Sequence, residues 1–154
     1  MAKIIRLGCE VAEIHRLYAE VHASVFGASS IRSAIDAVLG KSAEVNAGRS
    51  ARLLDLSSDL RRLRNEVSDG ALDDRPIRGA EELQRVLLDY IDSLISVIEC
   101  LASICRNLAT GDKEYRDPDS GANSRYNQEK VQYDHAISSL EYQGEKLNRL
   151  FSTY

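Results

Sequence analysis

Tryptophan is absent from the 154 residues, and proline occurs only twice, at Pro76 and Pro118. Aromatic residues make up 6% of the chain. Strands draw on aromatic and β-branched side chains, while proline breaks helices, so this scarcity favours helices packed through Leu, Ile, Val and Ala. Cysteine is scarce too. Cys9, Cys100 and Cys105 are odd in number and irregular in spacing, which argues against a disulfide framework. Cys100 and Cys105 fall on different sides of one helix, so they cannot easily pair, and reduced thiols point to a cytoplasmic protein. No apolar run of about 18 residues occurs, so no membrane span is expected, and Met1-Ala2-Lys3 opens no signal peptide.

Charge of one sign is also missing. Residues 1–58 carry seven basic and six acidic side chains, residues 59–108 seven and ten, and residues 109–154 six and eight. A nucleic-acid binder usually shows a basic block or stripe, so no nucleic-acid partner is expected. The densest basic feature, Arg61, Arg62 and Arg64 with Arg75 and Arg78, is interleaved with Asp59, Glu66, Asp69, Asp73, Asp74, Glu81 and Glu82. That pattern reads as an intrahelical salt-bridge face followed by a solvated loop.

Apolar residues are 44% of the chain, enough for the core of one domain over residues 1–154. They recur at alternating steps of three and four. The first row is Ile4, Leu7, Val11, Ile14, Tyr18, Val21 and Val25. The second is Leu53, Leu56, Leu60, Leu63 and Val67. The third runs without a gap through Leu83, Leu87, Tyr90, Leu94, Val97, Leu101, Ile104 and Leu108. The fourth is Tyr126, Tyr133, Ile137, Leu140, Leu147, Phe151 and Tyr154, with Lys130 and Gly144 in two slots. A mean step of about 3.5 keeps one helical face on a neighbouring helix.

Turn residues punctuate these rows. Gly27-Ala28-Ser29-Ser30 closes the first, Ser68-Asp69-Gly70 the second and Gly111 the third. Asp73-Asp74-Arg75-Pro76 opens the third helix, with Glu81 and Glu82 in its first turns, and Asn123 or Ser124 caps the fourth. The expected helices are 3–26, 30–69, 77–110 and 123–152. Gly40 and Gly48 lie within the second, and its Ile31, Ile35, Val38/Leu39 row is out of register with Leu53. Either the helix kinks or breaks near Gly40–Gly48, or small side chains there admit another helix. At 1.5 Å per residue a continuous second helix outruns the first by about 24 Å, so Leu56, Leu60, Leu63 and Val67 at its far end need cover from a break, other helices or a partner.

Motifs for chemistry are incomplete. Gly40-Lys41-Ser42 resembles the end of a phosphate-binding loop, but Ile35 stands where its first Gly belongs. Asp117, Asp119 and Gly121 lack the later ligands of a calcium loop. The Glu-x-x-His pairs of two-metal bundles fail at His15, His22 and His135, preceded three residues back by Ala12, Ala19 and Gln132. His15 and His22 lie about 10 Å apart along one face, too far for one ion. A phosphotransfer histidine lacks its following Lys and Gly pattern at both positions. Cys9 falls opposite the first row, and Cys100 and Cys105 flank the third as small apolar groups.

The sequence therefore predicts an all-α domain, an antiparallel four-helix bundle with coiled-coil-like packing, running up-down-up-down. Its expected function is non-enzymatic: a small cytoplasmic adaptor, inhibitor or antitoxin-like module that presents a helical surface to a protein partner, with no cofactor. Candidate partner contacts are Leu56, Leu60, Leu63 and Val67, with Tyr115 and Tyr142 off the rows. The alternatives are a helical enzyme or phosphotransfer domain using His15, His22 or Cys9, and a structural coiled-coil component of an assembly. Sharing helices in a homodimer would satisfy the same rows.

Overall fold

The computed structural model describes residues 3–26, 42–70, 79–111, 114–115 and 124–153. Four helices account for nearly all of them: α1 (Lys3–Phe26), α2 (Ser42–Gly70), α3 (Ala80–Ala109) and α4 (Arg125–Phe151). There is no strand among the described residues. The expected all-α bundle is the observed one, and its core is a single cluster drawn from all four helices.

Cross-helix contacts fix the directions. Ser50 Oγ donates to the Ala102 carbonyl, and Gln84 Nε2 donates to the Val67 carbonyl, so α2 and α3 run antiparallel. Asn107 Nδ2 donates to Glu129 Oε1 near one end of α3, while Tyr90 lies against Gly144 nearer the other, so α3 and α4 do likewise. Arg49 reaches the Ser24 carbonyl and Arg6 reaches Glu66, which makes α1 antiparallel to α2. The order is up-down-up-down.

The apolar rows form the core as their spacing predicts. Ile4, Leu7, Val11, Ile14, Tyr18 and Val21 of α1 are buried, as are Leu83 through Ile104 of the α3 row. α3 buries more than one row. Val86, Ile91, Ile95, Ile98, Ala102 and Cys105 are covered as well, because α3 packs against all three other helices. That second row is what a central helix needs.

Helix ends follow local chemistry. Ser124 caps α4 by accepting from the Asn127 amide at 3.2 Å. Gly111, at φ 68, takes the left-handed position just past α3. α3 starts at Ala80 rather than 77, entered through Gly79 at φ 84, with Glu81 and Glu82 in its first turn as expected. The Asp73–Pro76 start, the turn at Gly27–Ser30, the Ile31–Leu39 row, Gly40, and the Asp117–Gly121 loop lie outside the described residues.

Gly48 sits inside the continuous helix α2, and a Cβ there would meet nothing within 4 Å, so it admits no close neighbour. The buried row of α2 continues through this region with polar residues. Asn46, Ser50 and Ser57 are buried, with Arg49 donating to Asn46 Oδ1 and Ser57 donating to Glu99 Oε1. The Arg face is also not purely intrahelical. Arg62 pairs with Glu66 on its own helix, whereas Arg61 reaches Glu99 and Arg64 reaches Asp92 at 2.6 Å, both on α3. Arg75 and Arg78 lie outside the described residues.

Candidate binding groove

One pair of neighbouring helices does not close. No Cα of α1 lies within 8 Å of a Cα of α4, although both pack on α3. Side chains bridge the gap at two places. At one, Gly8 leaves room for the Phe151 ring: a Cβ on Gly8 would fall 2.7 Å from Phe151 Cζ. At the other, Tyr133 of α4 meets α1. Its hydroxyl lies 2.5 Å from the Tyr18 hydroxyl and 2.6 Å from His22 Nδ1.

Between these bridges runs an open groove of about 460 Å³. His15, Tyr18, Ala19 and His22 form its α1 wall, and Ile137, Leu140, Glu141, Gly144, Glu145 and Asn148 form its α4 wall. Tyr90 of α3 also lines it. The lining residues follow from the helical period: His15 and His22 are two turns apart beside the buried Tyr18, which puts all three at one seam edge. His15 lies between two tyrosine rings, with centroids at 5.9 Å from Tyr18 and 6.4 Å from Tyr90. At Gly144 the α4 backbone passes close to Tyr90, whose ring edge would stand 3.4 Å from a Cβ there.

Burial sets the protonation of these groups. His15 and His22 are held below the ordinary histidine range by burial, with the Lys130 charge adding to the effect at His22 and Asp134 opposing it. Burial pushes the Tyr90 phenol up to about 12. Tyr133 is driven well above the ordinary phenol range by burial first and its bond with Tyr18 second. Near pH 7 the groove thus carries neutral imidazoles and protonated phenols. With neutral His22 accepting at Nδ1, Tyr133 donates to it and Tyr18 donates to Tyr133; protonated His22 reverses that order.

Beyond His22 the aromatic row continues. Phe26 lies 5.2 Å from the His22 ring, centroid to centroid, and Lys130 Nζ sits 4.6 Å over the Phe26 ring. Lys130 fills its slot in the α4 row through this contact and a 2.6 Å ion pair with Asp134.

A second cavity, about 330 Å³, opens between α3 and α4, lined by Ser96, Glu99, Cys100, Ser103, Glu129 and Gln132. Its thiol is a poor nucleophile, because burial and then Glu99 and Glu129 raise the Cys100 pKa. Cys105 is buried and pushed up to about 11, and Cys9 is exposed. Among the described residues no three His, Cys, Asp or Glu side chains converge on a metal position. No described helix is long and apolar enough to cross a membrane.

The residues singled out as partner contacts separate into two groups. Leu56, Leu60, Leu63 and Val67 are all buried inside the chain. The described part of α2 is 29 residues against 30 for α3, so the far end of α2 is covered by helix and not left over. Tyr115 is also buried: its ring meets Tyr126 edge-on, and its hydroxyl donates to Glu129 Oε2 at 2.8 Å. Tyr142 alone of the six is exposed, at 58%, with Lys146 over its ring. The groove residues Tyr90, Glu141 and Glu145 carried no functional signal in the sequence, because what joins them is the gap between α1 and α4. No family model, curated protein or solved structure matches the chain.

Proposed function

We propose that this chain is a non-enzymatic binding module, a small cytoplasmic adaptor, inhibitor or antitoxin-like protein that holds a protein partner in the groove between α1 and α4. The open groove is the observation that carries this reading. Among the described residues the α2 row and the α3 rows are buried, while α1 and α4 leave apolar and polar side chains facing one shared space. The chemistry of the surrounding groups supports a binding role. Phenols and buried thiols are held protonated, and the neutral histidines are engaged with aromatic rings. Three free cysteines suit a reducing compartment.

Position-specific photocrosslinking in cells tests this reading. A benzophenone amino acid at Glu141 or Asn148, on the groove, should give a discrete protein adduct, and the same group at Arg62 on α2 should not. Equal adducts from all three positions, or none from the groove, would overturn the proposal.

A further inference from the structure

We infer that the α1/α4 groove recognises a cationic side chain, a lysine ammonium or arginine guanidinium carried on a basic segment of the partner protein. This rests on the groove being the binding site.

The charge on the groove is one-sided. Its lining contains Glu141 and Glu145 and neither Lys nor Arg. Glu141 has no cationic partner among the described residues, and Glu145 has only Arg149 at 3.9 Å, with both side chains at least 70% exposed. Such a loose exposed pair yields readily to a better-placed cation. The histidines do not offset the carboxylates, since burial keeps them neutral near pH 7.

Tyr90 supplies an independent observation. It is 9% exposed and lines the groove, yet makes no hydrogen bond with the described residues. The sealed, unbonded side-chain atom among those residues is Gln143 Oε1, so the Tyr90 hydroxyl keeps access to the groove. The hydroxyl can both donate and accept, and its oxygen is free to accept from an ammonium or guanidinium group, which are pure donors.

The rest of the lining suits the stem and the charge together. Ala19, Ile137 and Leu140 offer apolar surface for methylenes. The Tyr90 and Tyr18 rings line the groove, and phenol rings attract cations. The molecule already uses this device at the end of the same aromatic row, where Lys130 lies over Phe26 and 5.7 Å from the Tyr133 centroid. An anionic ligand would meet two carboxylates, and a wholly apolar one would bury Glu141 and the Tyr90 hydroxyl without partners.

The test uses the full chain, isotope-labelled for amide NMR, titrated with four blocked amino acids: the N-acetyl methylamides of arginine, lysine, norleucine and glutamate. The arginine and lysine compounds should shift amides of residues 15–22 and 137–148, and the norleucine and glutamate compounds should not. Replacing both acids (Glu141→Gln with Glu145→Gln) should weaken arginine binding roughly tenfold, and added salt should weaken it further. Equal shifts from norleucine, or none from arginine and lysine, would overturn the cation. If groove crosslinks still form in either case, the binding-module reading stands and only its partner chemistry fails. Loss of both would remove the reading itself.

Discussion

Replacing Tyr133 with phenylalanine should cost more than its one oxygen suggests. The hydroxyl is bonded on both sides, to Tyr18 and to His22, and Tyr133 is fully buried. Tyr133→Phe removes two bonds, each worth about 0.5–1.5 kcal/mol net. It also strands the Tyr18 hydroxyl, which is 5% exposed, at a further cost of roughly 1 kcal/mol or more. His22 opens onto the groove and regains water, so it adds nothing beyond its lost bond. The expected loss is about 2–4 kcal/mol, equivalent to roughly 4–16 °C in Tm for a domain of this size. Tyr18→Phe leaves the Tyr133–His22 bond intact and should cost only about 1 kcal/mol. The double variant removes the stranded hydroxyl and should be no worse than Tyr133→Phe alone, a strongly non-additive cycle. Urea unfolding followed by far-UV circular dichroism measures all three. A Tyr133→Phe stability within about 0.5 kcal/mol of wild type, or additive single variants, would refute the reasoning.

Three further outcomes follow from the packing and the titration. Leu63→Ala should destabilise by about 2–5 kcal/mol because Leu63 is fully buried, whereas Leu54→Ala, at a side chain 49% exposed, should stay within about 0.5 kcal/mol; denaturant midpoints compare them. Gly48→Ala should stabilise by about 1 kcal/mol, since α2 is helical there and a Cβ meets nothing, and Gly8→Ala should gain less because its Cβ must displace the Phe151 ring; paired thermal melts decide. Stability should fall as pH drops below the ordinary histidine value of 6.5, because the unfolded chain takes up protons that buried His15 and His22 resist until their lower folded pKa values are reached; the fall between pH 7 and pH 5 should shrink when both are replaced by glutamine, and an unchanged pH slope would contradict it.

Much of the fold is legible in the sequence, and the reason is periodicity. Rows such as Leu83–Leu108 state both the helix and its buried face. The second buried row of α3, from Val86 to Cys105, is not part of the single row read from the sequence, and it belongs to the helix that touches all the others. α2 is harder to read because Asn46, Ser50 and Ser57 are among its buried positions and look like surface. They are accommodated by hydrogen bonds, two of them to groups on α3, that no local pattern announces. Tyr115 sits in a connection and so reads as exposed, but Tyr126 and Glu129 of the next helix enclose it. Leu56, Leu60, Leu63 and Val67 are covered because the 29 described residues of α2 lie along the 30 of α3, whereas residues 30–41, on which the expected overhang depends, lie outside the described residues. The groove is the least legible feature. His15 and His22 share an edge by spacing alone, but their joining with Tyr90, Tyr133 and Glu141 depends on how far α1 stands from α4.

The central claim is that the four apolar rows close within one chain and leave the α1/α4 groove free for another protein. Light scattering coupled to size-exclusion chromatography over a wide concentration range tests it most directly. A constant mass near 17.1 kDa is the predicted result. A mass of twice that, reverting to the monomer when Ala19→Trp fills the groove, would contradict it by showing that a second copy of the chain occupies the site.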